Sequence, residues 1–271
     1  MAIDWDRQPW NGGRHADPSP PGQRRRRLAL ALLAIGAVAL VFSAYQVYTA
    51  IMPRTFTAGQ QQQIMAWEVA ARWRELPAGT IFPATATYPP PQQLEDGGPL
   101  TLTTQRLGIA PQATCKQAAD PAAAAVLGPA GCEALLRATY VDGTGSFLVT
   151  IGVAAFPGAA QASAAQQQLS ASSGSAKSGP LAPGVQAAPF AGTLASGFTN
   201  ARRQLDGSLS AGPYVVLYTI GYTDGRPKVA VAGDGYTFAE MTSLGEGLAE
   251  SIASKLAASP PAPHCPGVPG C

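Results

Sequence analysis

The stretch YVVLYTIGY, residues 214–222, is the strongest strand signal in the chain, because β-branched and aromatic residues fill most of its positions. The turn signal DGRP, residues 224–227, follows it, and residues 228–232 alternate briefly between polar and apolar. The pattern therefore predicts a β-hairpin in which residues 214–222 pair with residues 228–232.

A helix is predicted directly after this hairpin. Thr237 and Glu240 have the spacing of a capping box, which marks a helix start. Apolar residues then recur at steps of three and four, which places them on one face of a helix. This apolar stripe consists of Met241, Leu244, Leu248, Ile252 and Leu256. We expect the stripe to pack on the sheet.

An earlier part of the chain has the same order of elements. Residues 135–141 and 146–156 are rich in strand-forming residues, and the turn signal Asp142-Gly143 with Gly145 lies between them. An Ala/Gln-rich helix is predicted over residues 159–169, and a flexible Ser/Gly/Pro loop over residues 170–189. The predicted fold class is α+β, with helices packed on an antiparallel sheet and two hairpin-plus-helix units.

Flanking segments complete the predicted domain organisation. A helix that is either a stalk or a packing helix is predicted over residues 60–76, where Met65, Val69, Trp73 and Leu76 have helical spacing. Prolines then interrupt regular structure. We therefore predict a stalk helix and Pro-rich segment over residues 53–112, an exported domain over residues 113–257, and a Pro-rich tail over residues 258–271.

Residues 28–52, LALALLAIGAVALVFSAYQVYTAIM, carry no charge, and at about 1.5 Å per residue they are long enough to cross a bilayer. Four arginines, residues 24–27, precede the run, whereas Arg54 alone lies close beyond it. The positive-inside rule thus predicts a single-pass transmembrane helix, a cytoplasmic N-terminus and an extracellular C-terminal domain. A cleaved signal is the alternative, but the run is long for one, and Tyr48 stands where a small residue is needed.

The distribution of charge excludes a nucleic-acid partner for the large domain. The N-terminal tail, residues 1–27, holds six of the 18 basic residues and three of the 16 acidic ones. The rest of the chain is therefore slightly acidic and lacks the basic footprint of nucleic-acid binding. The tail itself is rich in Pro, Gly and polar residues and is predicted to be disordered.

The four cysteines all lie beyond the apolar run, which indicates disulfides in an oxidising compartment. Three pairings are open. Cys115 with Cys132 and Cys265 with Cys271 is favoured, because each pair closes a local loop. A metal site at His264, Cys265 and Cys271 is the alternative, but the three residues lack a zinc spacing.

Catalytic motifs are absent from the sequence, and no cofactor is predicted. The two histidines, His15 and His264, lie in the terminal tails, so a catalytic triad or dyad would depend on a tail histidine. Asp142, Asp206, Asp224 and Asp234 each precede a glycine, as turn residues often do. Glu240 is the predicted capping residue, and Glu246 and Glu250 are assigned to a solvated helix face. The aromatic residues are assigned to the sheet core rather than to a groove.

The order of basic tail, single span, Pro-rich stalk and exported disulfide domain resembles that of many single-pass actinobacterial membrane proteins without a known activity. Residues 71–88 (ARWRELPAGTIFPATATY) and 212–227 (GPYVVLYTIGYTDGRP) look like family motifs. Residues 147–169 (FLVTIGVAAFPGAAQASAAQQQL) are similar to part of the extracellular sensor domains of mycobacterial membrane kinases. No kinase domain accompanies them, so this resemblance implies no signalling activity.

Two functions are compatible with these features. The first is a non-enzymatic, membrane-anchored binding or accessory domain with a protein or cell-envelope partner. The second is a cell-wall hydrolase that uses paired carboxylates. The absence of catalytic motifs favours the first.

Overall fold

A computed structural model describes the chain over residues 21–51, 56–91, 101–172, 181–229 and 235–261. The chain divides into two compact units, and the second of them begins at Phe56. The first unit contains one described helix, and the second contains a sheet with helices packed on it.

Helix α1 (Pro21–Ile51) contains the apolar run. Within it, residues 25–49 are long and apolar enough to cross a membrane, and no other helix among the described residues has this property. The large apolar side chains of this span are exposed. Since α1 begins at Pro21, residues 21–27 are helical, although they were predicted to belong to a disordered tail.

The second unit is built on one antiparallel sheet, which has six strands over the described residues. The strands lie in the order β1-β2-β3-β4-β6-β5. Their bounds are β1 (Thr85–Tyr88), β2 (Leu102–Ile109), β3 (Ala134–Asp142), β4 (Phe147–Ala155), β5 (Arg203–Ala211) and β6 (Tyr214–Tyr222). Two hairpins, β3–β4 and β5–β6, are joined where β4 pairs with β6. Every residue of β4 is buried, because both faces of the central strands are covered.

On one face, α7 (Gly235–Ala257) packs against the sheet together with α2 (Ala58–Glu75) and the short α3 (Ala78–Ile81). All five residues of the predicted apolar stripe are buried there, which confirms that prediction. Gly245 allows close approach of the helix, because a Cβ at this position would lie 2.5 Å from the ring of Tyr218. Gly245 thus lets α7 lie directly on β6.

Helix α2 belongs to the same core and not to a detached stalk. Val69 is buried among the residues of α7 and the sheet. Arg72 donates hydrogen bonds from Nη1 to the backbone oxygens of Leu256, at 2.7 Å, and Ala258, at 2.6 Å. A guanidinium thus satisfies carbonyl groups at the C-terminal end of α7, which have no partner within the helix.

The opposite face is covered by α4 (Cys115–Ala118), α5 (Pro121–Leu127), α6 (Ala159–Ser172) and a crossing segment, residues 184–188, which we term the strap. Val185 of the strap lies over Gly152, where any side chain would collide with it. The Ala188 amide donates to Thr150 Oγ1 at 3.2 Å, and the Thr139 hydroxyl donates to the Ala188 carbonyl at 2.7 Å. The strap is therefore fixed to the central strands.

The predicted α+β class and the two hairpin-plus-helix units are present, and the first unit lies where the sequence placed it. The second hairpin was assigned wrongly. Strand 214–222 pairs with residues 203–211 that precede it, through a tight turn in which Gly212 has a φ of +54°. The described part of 228–232, Lys228 and Val229, is not a strand. Helix α7 begins at Gly235, so Thr237 lies inside it and is not its N-cap.

Two segments that were predicted to be irregular are structured. The predicted boundary at residue 113 is too late, since β1 and β2 are strands of the sheet. Prolines flank β1 without interrupting it, and β1 is an edge strand, where neighbouring prolines are tolerated. In the predicted loop 170–189, residues 170–172 end α6 and the strap is buried, while residues 173–180 lie outside the described part.

Candidate functional site

The predicted disulfide between Cys115 and Cys132 is confirmed. Their Cα atoms are 6.3 Å apart, and the bond closes a loop over a sequence separation of 17. Cys115 is the first residue of α4 and is buried, while Cys132 lies just before β3. The bond therefore holds α4 and α5 against the start of β3. Cys265, Cys271 and His264 lie outside the described residues.

We expect removal of this disulfide to reduce stability. In the double variant Cys115→Ala, Cys132→Ala, the unfolded chain gains loop freedom, which corresponds to about 3 kcal/mol for a loop of this size. Denaturant unfolding of the full chain in detergent micelles measures the loss. The control is Cys265→Ala, Cys271→Ala, whose predicted bond closes only a tail loop and should contribute less. Mass mapping of the unreduced chain tests the second pair, and a bond between the two pairs would contradict it.

A buried ionic cluster, which the sequence analysis missed, links three elements on the strap side of the sheet. Arg203 begins β5, and its Nη2 lies 3.0 Å from Asp120 Oδ2 and 2.9 Å from Asp206 Oδ2. The three side chains are 7%, 13% and 0% exposed. We term these residues the Arg203 cluster.

Asp120 connects the Arg203 cluster to the backbone. Its Oδ1 accepts a hydrogen bond from the Ala123 amide at 2.8 Å and so caps the N-terminus of α5, which continues with Pro121. Its Oδ2 accepts from the Gly184 amide at 2.8 Å. Arg203 Nη1 also donates to the Val185 carbonyl at 3.3 Å. The cluster thereby joins α5, the strap and β5, and this role is structural.

Burial raises the pKa of Asp206 to about 7, although the Arg203 guanidinium opposes the rise. Asp120 also raises this pKa, and Lys228 lowers it. Asp206 was predicted to be a turn residue, because Gly207 follows it. Instead it lies inside β5, and Gly207 is required because the ring of Tyr218 occupies the space of a Cβ.

We expect the raised pKa of Asp206 to make the protein less stable as the pH rises. The folded state binds the Asp206 proton more tightly than the unfolded state does. The stabilisation that comes from this proton is therefore complete below pH 3.8 and is lost as the pH rises toward about 7. Asp206→Asn should remove this slope, measured as the denaturation midpoint across the window. The control is Asp224→Asn, at an exposed carboxylate, which should leave the slope nearly unchanged. An unaltered slope in Asp206→Asn would contradict the assignment.

Two of the other predicted turn aspartates have the expected geometry. Asp142 Oδ1 accepts from the Phe147 amide at 2.6 Å, and its Oδ2 accepts from the Thr144 amide at 2.9 Å. Asp224 Oδ1 accepts from the Arg226 amide at 3.0 Å. Asp234 lies outside the described residues.

The predicted glutamates occupy one helix, α7. Glu246 and Glu250 are exposed, as predicted. Glu240 lies in the second turn of the helix, and burial, together with the nearby charge of Asp142, raises its pKa. Asp142 and Glu240 therefore interact, but the turn amides already occupy both oxygens of Asp142. Among the described residues, no group of three or more His, Cys, Asp or Glu residues could hold a metal ion.

The aromatic side chains form the sheet core, as predicted. The buried members are Tyr140, Phe147, Phe156, Tyr214 and Tyr218. Two hydroxyls reach backbone carbonyls: Tyr140 donates to Pro83 at 3.1 Å and Tyr214 donates to Val69 at 2.5 Å. Tyr222 is half-buried beside Phe147, and the Tyr236 side chain lies outside the described part.

Two accessible grooves lie along α2. A groove of about 350 Å³ is formed by Phe56, Gln60, Gln63, Ile64 and Trp67, which we term the Trp67 face. A second groove of about 430 Å³ continues past Trp67 to the β4–α6 loop, the β5–β6 turn and Pro260. None of the described residues that line these two grooves is charged.

Trp67 is 68% exposed, the highest value for a large apolar side chain among the described residues outside α1. An apolar surface of this kind can bind an apolar partner. In comparisons with known proteins, no family model, no curated protein and no solved structure matches the chain significantly.

Proposed function

We propose that this chain is a single-pass membrane protein that holds a non-enzymatic binding or accessory domain on the outer side of the cell membrane. The observation that carries the proposal is α1, whose residues 25–49 are long and apolar enough to cross a membrane and include no buried residue. A span of this length matches the hydrocarbon core of a bilayer, and lipid would cover the exposed side chains.

The proposed orientation rests on charge. Arg24–Arg27 lie at the N-terminal end of the apolar span, which favours a cytoplasmic location for that end. The domain beyond the span contains the Cys115–Cys132 disulfide, and such bonds persist in oxidising compartments outside the cytoplasm. Both features support export of the C-terminal domain.

The proposal that the domain binds rather than catalyses rests on the contacts that its acidic residues make. Asp120 and Asp206 both pair with Arg203 in a buried cluster, and Asp142 is bonded to the amides of its own turn. The two grooves beside Trp67 contain no carboxylate among the described residues that line them. A hydrolase of the paired-carboxylate type needs two acids facing one accessible cleft. The arrangement here favours a binding module over that alternative.

Reporter fusions test the membrane topology. A reporter fused after residue 60 should be active only outside the cytoplasm, and one fused before Arg24 only inside it, because the arginines oppose translocation. The control replaces Arg24–Arg27 with glutamines, which should weaken this asymmetry. Inverted reporter activities in the unmodified chain, or release of a processed domain into the medium, would contradict the proposal.

A further inference from the structure

The start of α2 is uncharged over its first turns. Residues 56–67, FTAGQQQQIMAW, contain no acidic or basic side chain, whereas Glu68, Arg72, Arg74 and Glu75 come after them. The Thr57 side chain caps the helix in a capping box with Gln60, so the first turn is well formed without a charged residue. The charged part of α2 thus begins directly after Trp67.

The members of this segment that line the first groove share one side of the helix. Gln60, Gln63, Ile64 and Trp67 recur at steps of three and four, so they form a single strip with Phe56 at its start. Phe56 is 37% exposed and Trp67 68% exposed. Exposed aromatic rings with amide side chains between them are typical of surfaces that are partly apolar and partly wet.

The chain keeps the start of this strip near the end of the apolar span. Phe56 follows Ile51, the last residue of α1, by five positions, which limits their Cα separation to about 18 Å. Tryptophan is enriched at the membrane–water interface, where its ring lies at the level of the headgroups. An uncharged helix face with aromatic residues can lie in the plane of this interface.

We propose that the Trp67 face lies in the interfacial layer of the bilayer that α1 spans, so that lipid, and not a protein, covers it. This inference rests on the proposed membrane anchor. The neutral second groove beside Trp67 extends the surface that lipid would contact. Two elements, α1 and the first half of α2, would then fix the position of the domain on the membrane.

Quenching by brominated lipids tests the inference on the full chain in phosphatidylcholine vesicles. One variant keeps Trp67 as the sole tryptophan, through Trp5→Phe, Trp10→Phe and Trp73→Phe. The matched control keeps Trp73 alone, through Trp5→Phe, Trp10→Phe and Trp67→Phe. Trp73 lies on the same helix but is partly buried against the core.

We expect Trp67 to lose emission with bromines near the headgroup end of the acyl chain, and to lose less with bromines near the methyl end. The Trp73 emission should change little with either lipid. Ile64→Glu in the sole-Trp67 chain should reduce the quenching, because it places a carboxylate on the face.

Flotation of the same vesicles separates the two proposals. If the protein floats with the vesicles while Trp67 is not quenched, the membrane anchor holds and the lipid assignment of the Trp67 face is wrong. If Trp67 becomes shielded only as protein concentration rises, a second protein copy covers the face, and the lipid assignment is again wrong. If the protein does not float, the anchor proposal fails and this inference fails with it.

Discussion

Leu248→Ala should lower the free energy of unfolding by about 2–5 kcal/mol, a large share of the total for a domain of this kind. Leu248 has no exposed surface and lies in the middle of the α7 stripe that covers the sheet. Its truncation removes buried apolar surface and leaves a cavity, because Gly245 already brings the helix backbone against Tyr218 and prevents further approach. The full chain in detergent micelles, unfolded by denaturant and followed by circular dichroism, gives the measurement.

Glu250→Ala is the matched control, two residues along the same helix. Its side chain is exposed, so the substitution should hardly change stability. Equal stability of the two variants and the parent chain would show that the stripe does not hold the domain together. Loss of a measurable activity in Glu250→Ala alone would favour the carboxylate hydrolase.

Arg203→Met should destabilise the fold by a comparable amount and lower the free energy of unfolding by about 3–5 kcal/mol. The substitution removes the partner of two carboxylates while leaving them buried, and an uncompensated buried charge is more costly than the absence of the whole cluster. Asp206 should respond by binding a proton, since Arg203 is the group that lowers its pKa most. The loss should therefore be greater at pH 8 than at pH 5, which denaturation at the two pH values would measure.

Two further variants separate the ionic explanation from a packing defect at Arg203. Combining Arg203→Met with Asp206→Leu and Asp120→Asn removes the unpaired charges. The triple variant should therefore recover part of the stability that Arg203→Met loses. Arg226→Met breaks an ion pair that is about half exposed, and it should leave stability unchanged within error. A triple variant that is no more stable than Arg203→Met would contradict the ionic explanation.

The parts of the fold that were predicted correctly have local, periodic patterns. Residues 135–156 form a hairpin whose turn residue, Asp142, binds its own turn, and α7 carries a regular apolar stripe. Strand β5 was missed because Ser, Gly and Asp give it a low strand propensity, and pairing with β6 overrides that preference. The strap was missed because its small residues look like a loop, while their burial depends on Gly152 beneath them.

The Arg203 cluster shows why the buried polar site was harder to predict than the fold. Asp120 and Arg203 are far apart in the sequence, and no local pattern pairs them. Asp120 did carry one readable signal, since an aspartate before a proline and an alanine run is a helix start. No sequence pattern indicated that Trp67 is exposed, because apolar residues of the same helix, Val69 and Trp73, pack against the core.

The pairing of β4 with β6 has a consequence for biogenesis. Residues 156–213 separate the two strands, so at synthesis rates of roughly 5–20 residues per second the partner of β4 emerges about 3–12 seconds later. During this interval β4 has an open edge, and its sequence FLVTIGVAA is uncharged and, apart from Thr150, apolar. The nascent chain is therefore most prone to aggregation between completion of β4 and arrival of β6, and binding of a holdase chaperone would protect it in that interval.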